Sequence, residues 1–181
     1  VISHQKDSHC SSCGTAFPPD PGWPRTCAAC GTTAYRNPLP VAVALLPVRD
    51  RTGGGTGLVV IRRTIEPRRG HLALPGGFID HGETWQQAVT RELAEETGIQ
   101  ADPDDVTLAD ALTDTEDGYL LLFGLLPERP AHELPPPRPT DETDGWQILD
   151  DSTDLAFPLH TQAANRWFAD GYPPPPRTRT T

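Results

Sequence analysis

The chain holds no methionine, so Val1 says nothing about where translation starts. It also lacks any long apolar run. The longest stretches, residues 41–46 and 119–126, fall far short of the about 20 residues a membrane-spanning helix needs, so no membrane partner is expected. The first ten residues are largely polar and no signal peptide is read in them, which makes the expected location cytoplasmic. Basic residues are scarce. Net charge is −10, and Lys6, Arg25 and Arg36 are the only Lys or Arg before residue 49. A nucleic-acid surface needs clustered Lys and Arg, so no nucleic-acid partner is expected. A small anionic substrate stays compatible where metal ions supply local positive charge. Apolar content is a modest 36%, and 21 prolines predict abundant loops. The 181 residues suffice for one ordinary domain and a small module.

Cysteine is confined to four positions near the start. They read Cys10-Ser-Ser-Cys13-Gly14-Thr15 and Cys27-Ala-Ala-Cys30-Gly31-Thr32, a repeated unit. Two such pairs can surround one tetrahedral Zn²⁺, and Gly after the second Cys allows the tight turn around sulfur. The pattern resembles a zinc ribbon. Two disulfides are the competing reading, but nothing points to secretion and a Cys-x-x-Cys bridge closes a small strained loop. A redox role lacks thioredoxin-like surroundings. Four Cys leave no open coordination position, so the Zn²⁺ is expected to be structural and to stabilise a segment too small to fold on apolar burial alone.

The stretch from Gly77 to Ile99 organises the rest. A Gly-rich loop (Pro75, Gly76, Gly77, Gly82) leads into a helix predicted over 84–97 and closed by Gly98. On a helical wheel Trp85, Ala88, Val89 and Leu93 form an apolar stripe, and Gln86, Gln87, Thr90, Ala94 and Thr97 fall opposite. Glu92 and Glu96 land inside the stripe and Glu95 on its edge. Three carboxylates at i, i+3 and i+4 repel one another, and partial burial makes that worse. A hard divalent cation among them resolves the conflict, since Mg²⁺ and Mn²⁺ prefer oxygen ligands. Arg91 lies four residues before Glu95 and can hold it.

The full spacing is Gly77, five residues, Glu83, seven residues, then Arg91-Glu92-Leu93-x-Glu95-Glu96-x-Gly98-Ile99. It resembles the Nudix hydrolase signature at every position. The resemblance implies that Glu92, Glu95 and Glu96 ligate Mg²⁺ or Mn²⁺, with the Gly76 carbonyl as a backbone ligand. It implies that Glu83 is an outer carboxylate near the metals, that Arg91 orients, and that Glu92, Glu95, Arg91 and Glu83 form the catalytic set. Gly77 and Gly98 serve backbone geometry. The family cleaves a nucleoside diphosphate linked to another moiety; water attacks one phosphorus and the other phosphate leaves. A base outside the signature stays open, with Glu133, Asp141 and Glu142 as its candidates.

The remaining chain is read as strands over 41–47, 58–63, 72–74, 106–112, 119–126 and 146–149, with a helix over 158–169. Residues 52–57 read as a Gly-rich hairpin tip, Pro75-Gly76-Gly77 as a turn and 127–139 as a long loop with six prolines. Arg62, Arg63, Arg68, Arg69 and His71 form the one basic cluster, either facing substrate phosphates or merely solvated. The expected fold class is α/β: a Nudix-type α/β/α sandwich with a mixed sheet over 38–171, preceded by a zinc ribbon over 1–37 and followed by a proline-rich mobile tail over 172–181.

Within the family, residues 102–114 lack the Ser-Gln-Pro-Trp-Pro-Phe-type array of the NADH pyrophosphatases. Ala34-Tyr35-Arg36-Asn37-Pro38, Ile65-Glu66-Pro67, Gly118-Tyr119 and Leu155-Ala156-Phe157 resemble zinc-ribbon proteins of the FAD/ADP-ribose pyrophosphatase type; Leu72, where relatives often have Trp, departs from it. The implied substrate is FAD or ADP-ribose, releasing AMP, from a homodimeric enzyme. NADH and nucleotide-sugar hydrolysis are the alternatives, and a non-catalytic ligand sensor or interaction module is the alternative of another class. Arg63, Phe78 and Tyr119 are the expected substrate contacts, with Trp146 a further stacking candidate.

Overall fold

The structure, a computed structural model, describes residues 7–19, 22–49 and 55–172. The chain divides into two compact units, Val1–Pro38 and Leu39–Thr181.

In the first unit both Cys-x-x-Cys-Gly-Thr repeats fold alike. Gly14 N–H donates to the Cys10 carbonyl at 2.9 Å and Cys10 N–H to the Thr15 carbonyl at 2.8 Å; Gly31 and Cys27 repeat this with Cys27 and Thr32. Gly14 and Gly31 both sit at φ 74°, left-handed backbone where a side chain would be strained. Strands β1 (Arg25–Thr26) and β2 (Thr33–Ala34) pair antiparallel beside the second repeat. The Arg25 guanidinium lies 4.1 Å from the Trp23 ring centre and donates to the carbonyls of Gly22 and Asp7. A small unit with little apolar core is thus held by turns, one stacked cation and whatever the cysteines bind.

The second unit has two sheets. One orders as β7 (Gly76–Phe78), β3 (Leu39–Leu45), β9 (Tyr119–Leu125) and β8 (Thr107–Asp114). Strands β3 and β9 run parallel with Val41 opposite Leu121; the other pairs are antiparallel. The second sheet orders as β10 (Arg129–Pro130), β4 (Pro47–Arg49), β5 (Thr56–Arg63) and β11 (Thr143–Leu149), with β6 (Leu72–Ala73) also on β5. Leu46 alone separates β3 from β4, and its carbonyl accepts from Val59 N–H at 3.0 Å. One run of chain therefore serves both sheets.

Alternation along the strands splits the core in two. Ala42, Ala44, Val59 and Ile61 pack with Ala88, Val89 and Leu93 of helix α1 (Trp85–Thr97). Val43, Leu45, Leu58 and Val60 pack with Ala163 and Ala164 of helix α2 (Pro158–Asp170). A strand covered on both faces has no wet side, which accounts for the unbroken aliphatic runs. The result is the layered α/β sandwich with mixed strands that the sequence predicts. Gly124 lets α1 approach β9, since a Cβ there would meet Val106 at 2.6 Å and Val89 at 2.9 Å. Among the described residues no helix is long and apolar enough to cross a membrane.

Several local expectations are corrected. Gly76–Phe78 is a strand, not a turn: Pro75 breaks β6, but Gly76 and Gly77 pair with Val43 and Ala42. The proline-rich stretch contains β10 and a 3₁₀ turn at Ala131–Glu133, because Pro130 at a sheet edge needs no N–H partner. Thr90 and Thr97 are buried rather than wet. Helix α1 touches β11 as well as β3, β7 and β9, so strands of both sheets cover it, and each threonine satisfies its hydroxyl on a carbonyl of the preceding turn. Tyr172 is not tail but core, its hydroxyl 3.4 Å from Asp110 and its ring beneath Arg166. The rest of the predicted tail, 173–181, and the hairpin-tip residues 52–54 lie outside the described residues.

Candidate functional site

Helix α1 starts cleanly. Thr84 caps it, accepting from Gln87 N–H while the Gln87 side chain accepts from Thr84 N–H, and Gly98 ends it in left-handed backbone. No acidic residue lies in its first turn and no basic residue in its last. Its glutamates instead crowd the C-terminal half, where the helix dipole disfavours negative charge by about 0.3–1 kcal/mol each. Such a placement stabilises a bound cation rather than the helix.

A cleft of about 590 Å³ runs along this half of α1. Glu92, Glu95 and Glu96 enter it from the helix, Gly76, Gly77 and Phe78 from β7, and Arg63 from the end of β5. Glu96 is 4% exposed; its carboxylate accepts from Gly76 N–H at 2.9 Å. Burial pushes the Glu96 carboxyl up to about 8, against the pull of that amide. Burial also raises Glu92, opposed by Arg91. Glu95 is the solvated member, its side chain 60% exposed. A Cβ at Gly77 would lie 2.5 Å from the Glu92 carboxylate, so any side chain there would push that carboxylate aside.

Arg91 uses every donor it has. Nε and Nη2 grip Glu83 at 3.1 and 2.8 Å, Nη1 reaches Glu92 at 2.6 Å and Glu95 at 3.2 Å, and Nη2 also donates to the Phe78 carbonyl at 2.9 Å. Its first partner is therefore Glu83, not the Glu95 that helical spacing suggests. These hydrogen bonds hold Glu83 below the ordinary carboxylate range. Arg91 has no N–H left for a phosphate. Arg63 does: among the described residues its only side-chain hydrogen bond is from Nε to the Pro67 carbonyl, and its guanidinium lies 5.2 Å from the Phe157 ring centre.

Two expected residues stand off the cleft wall. Glu83 sits behind Arg91, with the Asp80 amide on its other side. Tyr119 packs toward the α2-side core and meets Phe78 of the cleft wall, ring centres 5.9 Å apart. Phe78 is 52% exposed. Trp146 is a core residue, its Nε1 without a partner. Of the three carboxylates proposed outside the signature, Asp141 and Glu142 line the cleft and Glu133 does not. Arg62, Arg68, Arg69 and His71 also stay off it. Asp80 and Thr140, which line it, carry no sequence signal beyond lying in loops beside the signature helix or an acidic turn.

The cysteines form a tighter site. All four sulfurs lie within 4.8 Å of one another, with Cys10 and Cys30 at 3.7 Å and Cys13 and Cys27 at 3.6 Å. Four thiolates about 2.3 Å from one tetrahedral Zn²⁺ would lie about 3.8 Å apart, so the group fits that ion. The threonine ending each repeat explains itself here: Thr15 lies 3.3 Å from Cys13 and Thr32 3.3 Å from Cys30. The Thr32 hydroxyl and amide draw the Cys30 thiol down to about 6, and Thr15 lowers Cys13.

A family model, described as the NUDIX domain, matches residues 38–170. The chain belongs to the Nudix family. Half of the aligned residues are shared with an ADP-ribose pyrophosphatase of Methanocaldococcus jannaschii: 50% identity over 65 residues, 36% of this Nudix chain and 37% of that protein. A NAD-capped RNA hydrolase NudC of Deinococcus radiodurans is 32% identical over 99 residues, 54% of this chain and 33% of that one. These matches span about a third of the length of either curated relative. A NUDIX hydrolase structure from Nitrosomonas europaea superposes with a TM-score of 0.64 at 21% identity, covering 90% of this chain and 91% of that one, and shares the fold.

Proposed function

We propose that this Nudix protein hydrolyses the diphosphate of a nucleoside diphosphate linked to another moiety, using Mg²⁺ or Mn²⁺, with FAD or ADP-ribose as substrate and AMP as a product. The observation that carries the reading is the meeting of Glu92, Glu95 and Glu96 with carboxylates from separate loops, Asp80, Asp141 and Glu142, on one cleft. The donor set is all oxygen and partly buried, which fits a hard divalent cation. Glu92, Glu95, Glu96 and the Gly76 carbonyl would hold the ion; when bound, it neutralises charge on the diphosphate and acidifies the attacking water.

The chain's own residues do the rest. A glutamate of the set, Glu92 or Glu142, accepts the proton of the water that attacks one phosphorus. Arg91, fixed by Glu83, keeps Glu92 and Glu95 in place. Arg63, with donors to spare, takes the leaving phosphate, and Phe78 backed by Tyr119 offers the aromatic surface for the base. The ADP-ribose pyrophosphatase relative supports the substrate class. Structural Zn²⁺ on Cys10, Cys13, Cys27 and Cys30 is part of the same proposal, as are the zinc ribbon, catalytic domain and tail as separate segments, a homodimer and a cytoplasmic location.

A second substrate reading is an NAD-type dinucleotide, favoured by the NudC relatives and opposed by the missing array at 102–114. Comparing kcat/KM for FAD, ADP-ribose, NADH, nucleotide sugars and dinucleoside polyphosphates tests both. ADP-ribose or FAD should lead. A clear preference for NADH selects the second reading, and a preference for nucleoside triphosphates refutes both.

A further inference from the structure

The loop that brings Glu142 to the cleft is held by an unusually complete set of hydroxyl bonds. Thr143 opens β11 and is 0% exposed. Its Oγ1 donates to the Glu96 carbonyl at 3.0 Å, accepts from Gly145 N–H at 3.2 Å, and lies 3.2 Å from the Thr140 hydroxyl. The Glu96 carbonyl belongs to the last turn of α1, whose carbonyls lack partners within the helix. Thr140 Oγ1 in turn accepts from the amides of Glu142 and Thr143 at 3.3 and 3.2 Å, and Thr140 N–H donates to the Thr143 carbonyl at 2.8 Å. With Thr140 donating to Thr143, the Thr143 hydroxyl uses its one donor and both acceptor sites. On the other side Thr64 N–H donates to the Glu142 carbonyl at 2.8 Å and the Thr64 hydroxyl to Asp141 at 3.3 Å. Both backbone polar groups of Glu142 are thereby fixed, and the residue lines the cleft.

We infer that Thr143 is a positioning residue: its hydroxyl ties the 140–143 turn to the backbone of Glu96 and so sets Glu142 as a further carboxylate toward the divalent cation of the signature glutamates. The inference rests on the metal-dependent reading above and extends it to a residue 47 positions from Glu96. Glu142 lines the same cleft as Glu92 and Glu96. Thr143→Val keeps the shape and removes the donor; Thr143→Ser keeps the donor.

Mn²⁺ titration of the substrate-free full chain, followed by electron paramagnetic resonance, reads this directly, alongside thermal melts in chelator. Glu142→Gln and Thr143→Val should each weaken Mn²⁺ binding about tenfold, the usual scale for groups that orient metal ligands. Thr143→Ser should restore it, and the double variant should bind no more weakly than either single one. Wild-type Mn²⁺ affinity in Thr143→Val, even with a lowered melting temperature, makes the residue merely structural and overturns the inference. If Thr143→Val does not fold, Thr140→Val at the exposed end of the turn should show the same loss. Unchanged affinity in Thr140→Val or in Glu142→Gln is an equal refutation. Wild-type protein that binds no Mn²⁺ at all refutes the functional reading itself, and the inference falls with it.

Discussion

Arg91 and Glu83 are joined by two parallel hydrogen bonds, Nη2 to Oε1 at 2.8 Å and Nε to Oε2 at 3.1 Å. The fork fixes the plane of the guanidinium, and that plane aims Nη1 at Glu92 and Glu95. Lysine cannot reproduce it. Arg91→Lys and Glu83→Gln should therefore both reduce kcat, by about tenfold or more, while circular dichroism shows the fold intact. Charge-assisted hydrogen bonds of this kind contribute about 1.5–3 kcal/mol each, so Arg91→Lys should also melt earlier. Wild-type turnover in either variant would remove the orienting role.

Glu92→Gln and Glu96→Gln separate function from stability. Each keeps the volume of the side chain and replaces a carboxyl whose charged form burial disfavours. Metal-dependent turnover should fall by orders of magnitude, equivalent to several kcal/mol of barrier. The melting temperature of Glu96→Gln in chelator should not fall below that of wild type. Rate and thermal melts on the same preparations check both halves.

The cysteine unit has so little apolar core that its metal should carry its folding. Elemental analysis should find one tightly bound zinc per chain, and Cys13→Ser should lose it. Strong chelation should expose residues 7–38 to proteolysis and leave the Nudix unit resistant. A zinc-free preparation with intact protease resistance in that segment would contradict the assignment.

His160 supplies a pH signature. It is buried between Phe123 and Phe157 with Nδ1 unpartnered, and burial with the nearby positive charge of Arg63 pushes it down to about 3. A histidine with a depressed folded value stabilises the fold fully above its ordinary value of 6.5 and loses that stability as pH falls toward 3. Between those limits the unfolded chain binds one more proton, so stability should fall by up to about 1.4 kcal/mol per pH unit. His160→Phe should flatten that limb in urea titrations at several pH values; an unchanged slope would show that His160 is not its source.

What was legible in the sequence was local. The extent of α1 and its inward glutamates follow from spacings of three and four residues, its end from Gly98, and the cysteine units from an exact repeat; that Thr84 caps the helix rather than belonging to it was not read. What stayed hidden depends on distant pairing. Strand β7 reads as a turn because Pro-Gly-Gly is turn chemistry, yet Gly76 lies against the β3 backbone, where a Cβ would meet the Ala42 carbonyl at 2.5 Å. Arg91 chooses Glu83 because the 78–84 loop folds back, which a helical wheel cannot show. Thr90 and Thr97 look wet on the wheel because it assumes one neighbouring sheet, and α1 touches two. Glu142 could be named only as one of three acids beyond the signature; the structure brings it and Asp141 to the cleft and leaves Glu133 off it, and the Thr140 and Thr143 hydroxyls hold its turn against α1.

Phosphorus NMR of ADP-ribose incubated with the full chain tests the central claim most directly. With Mg²⁺ or Mn²⁺ present, the two diphosphate resonances should give way to two monophosphate resonances, one of them AMP, and chelator or Glu92→Gln should stop the change. Diphosphate resonances of ADP-ribose, and of FAD in a parallel run, that persist at saturating metal would contradict it.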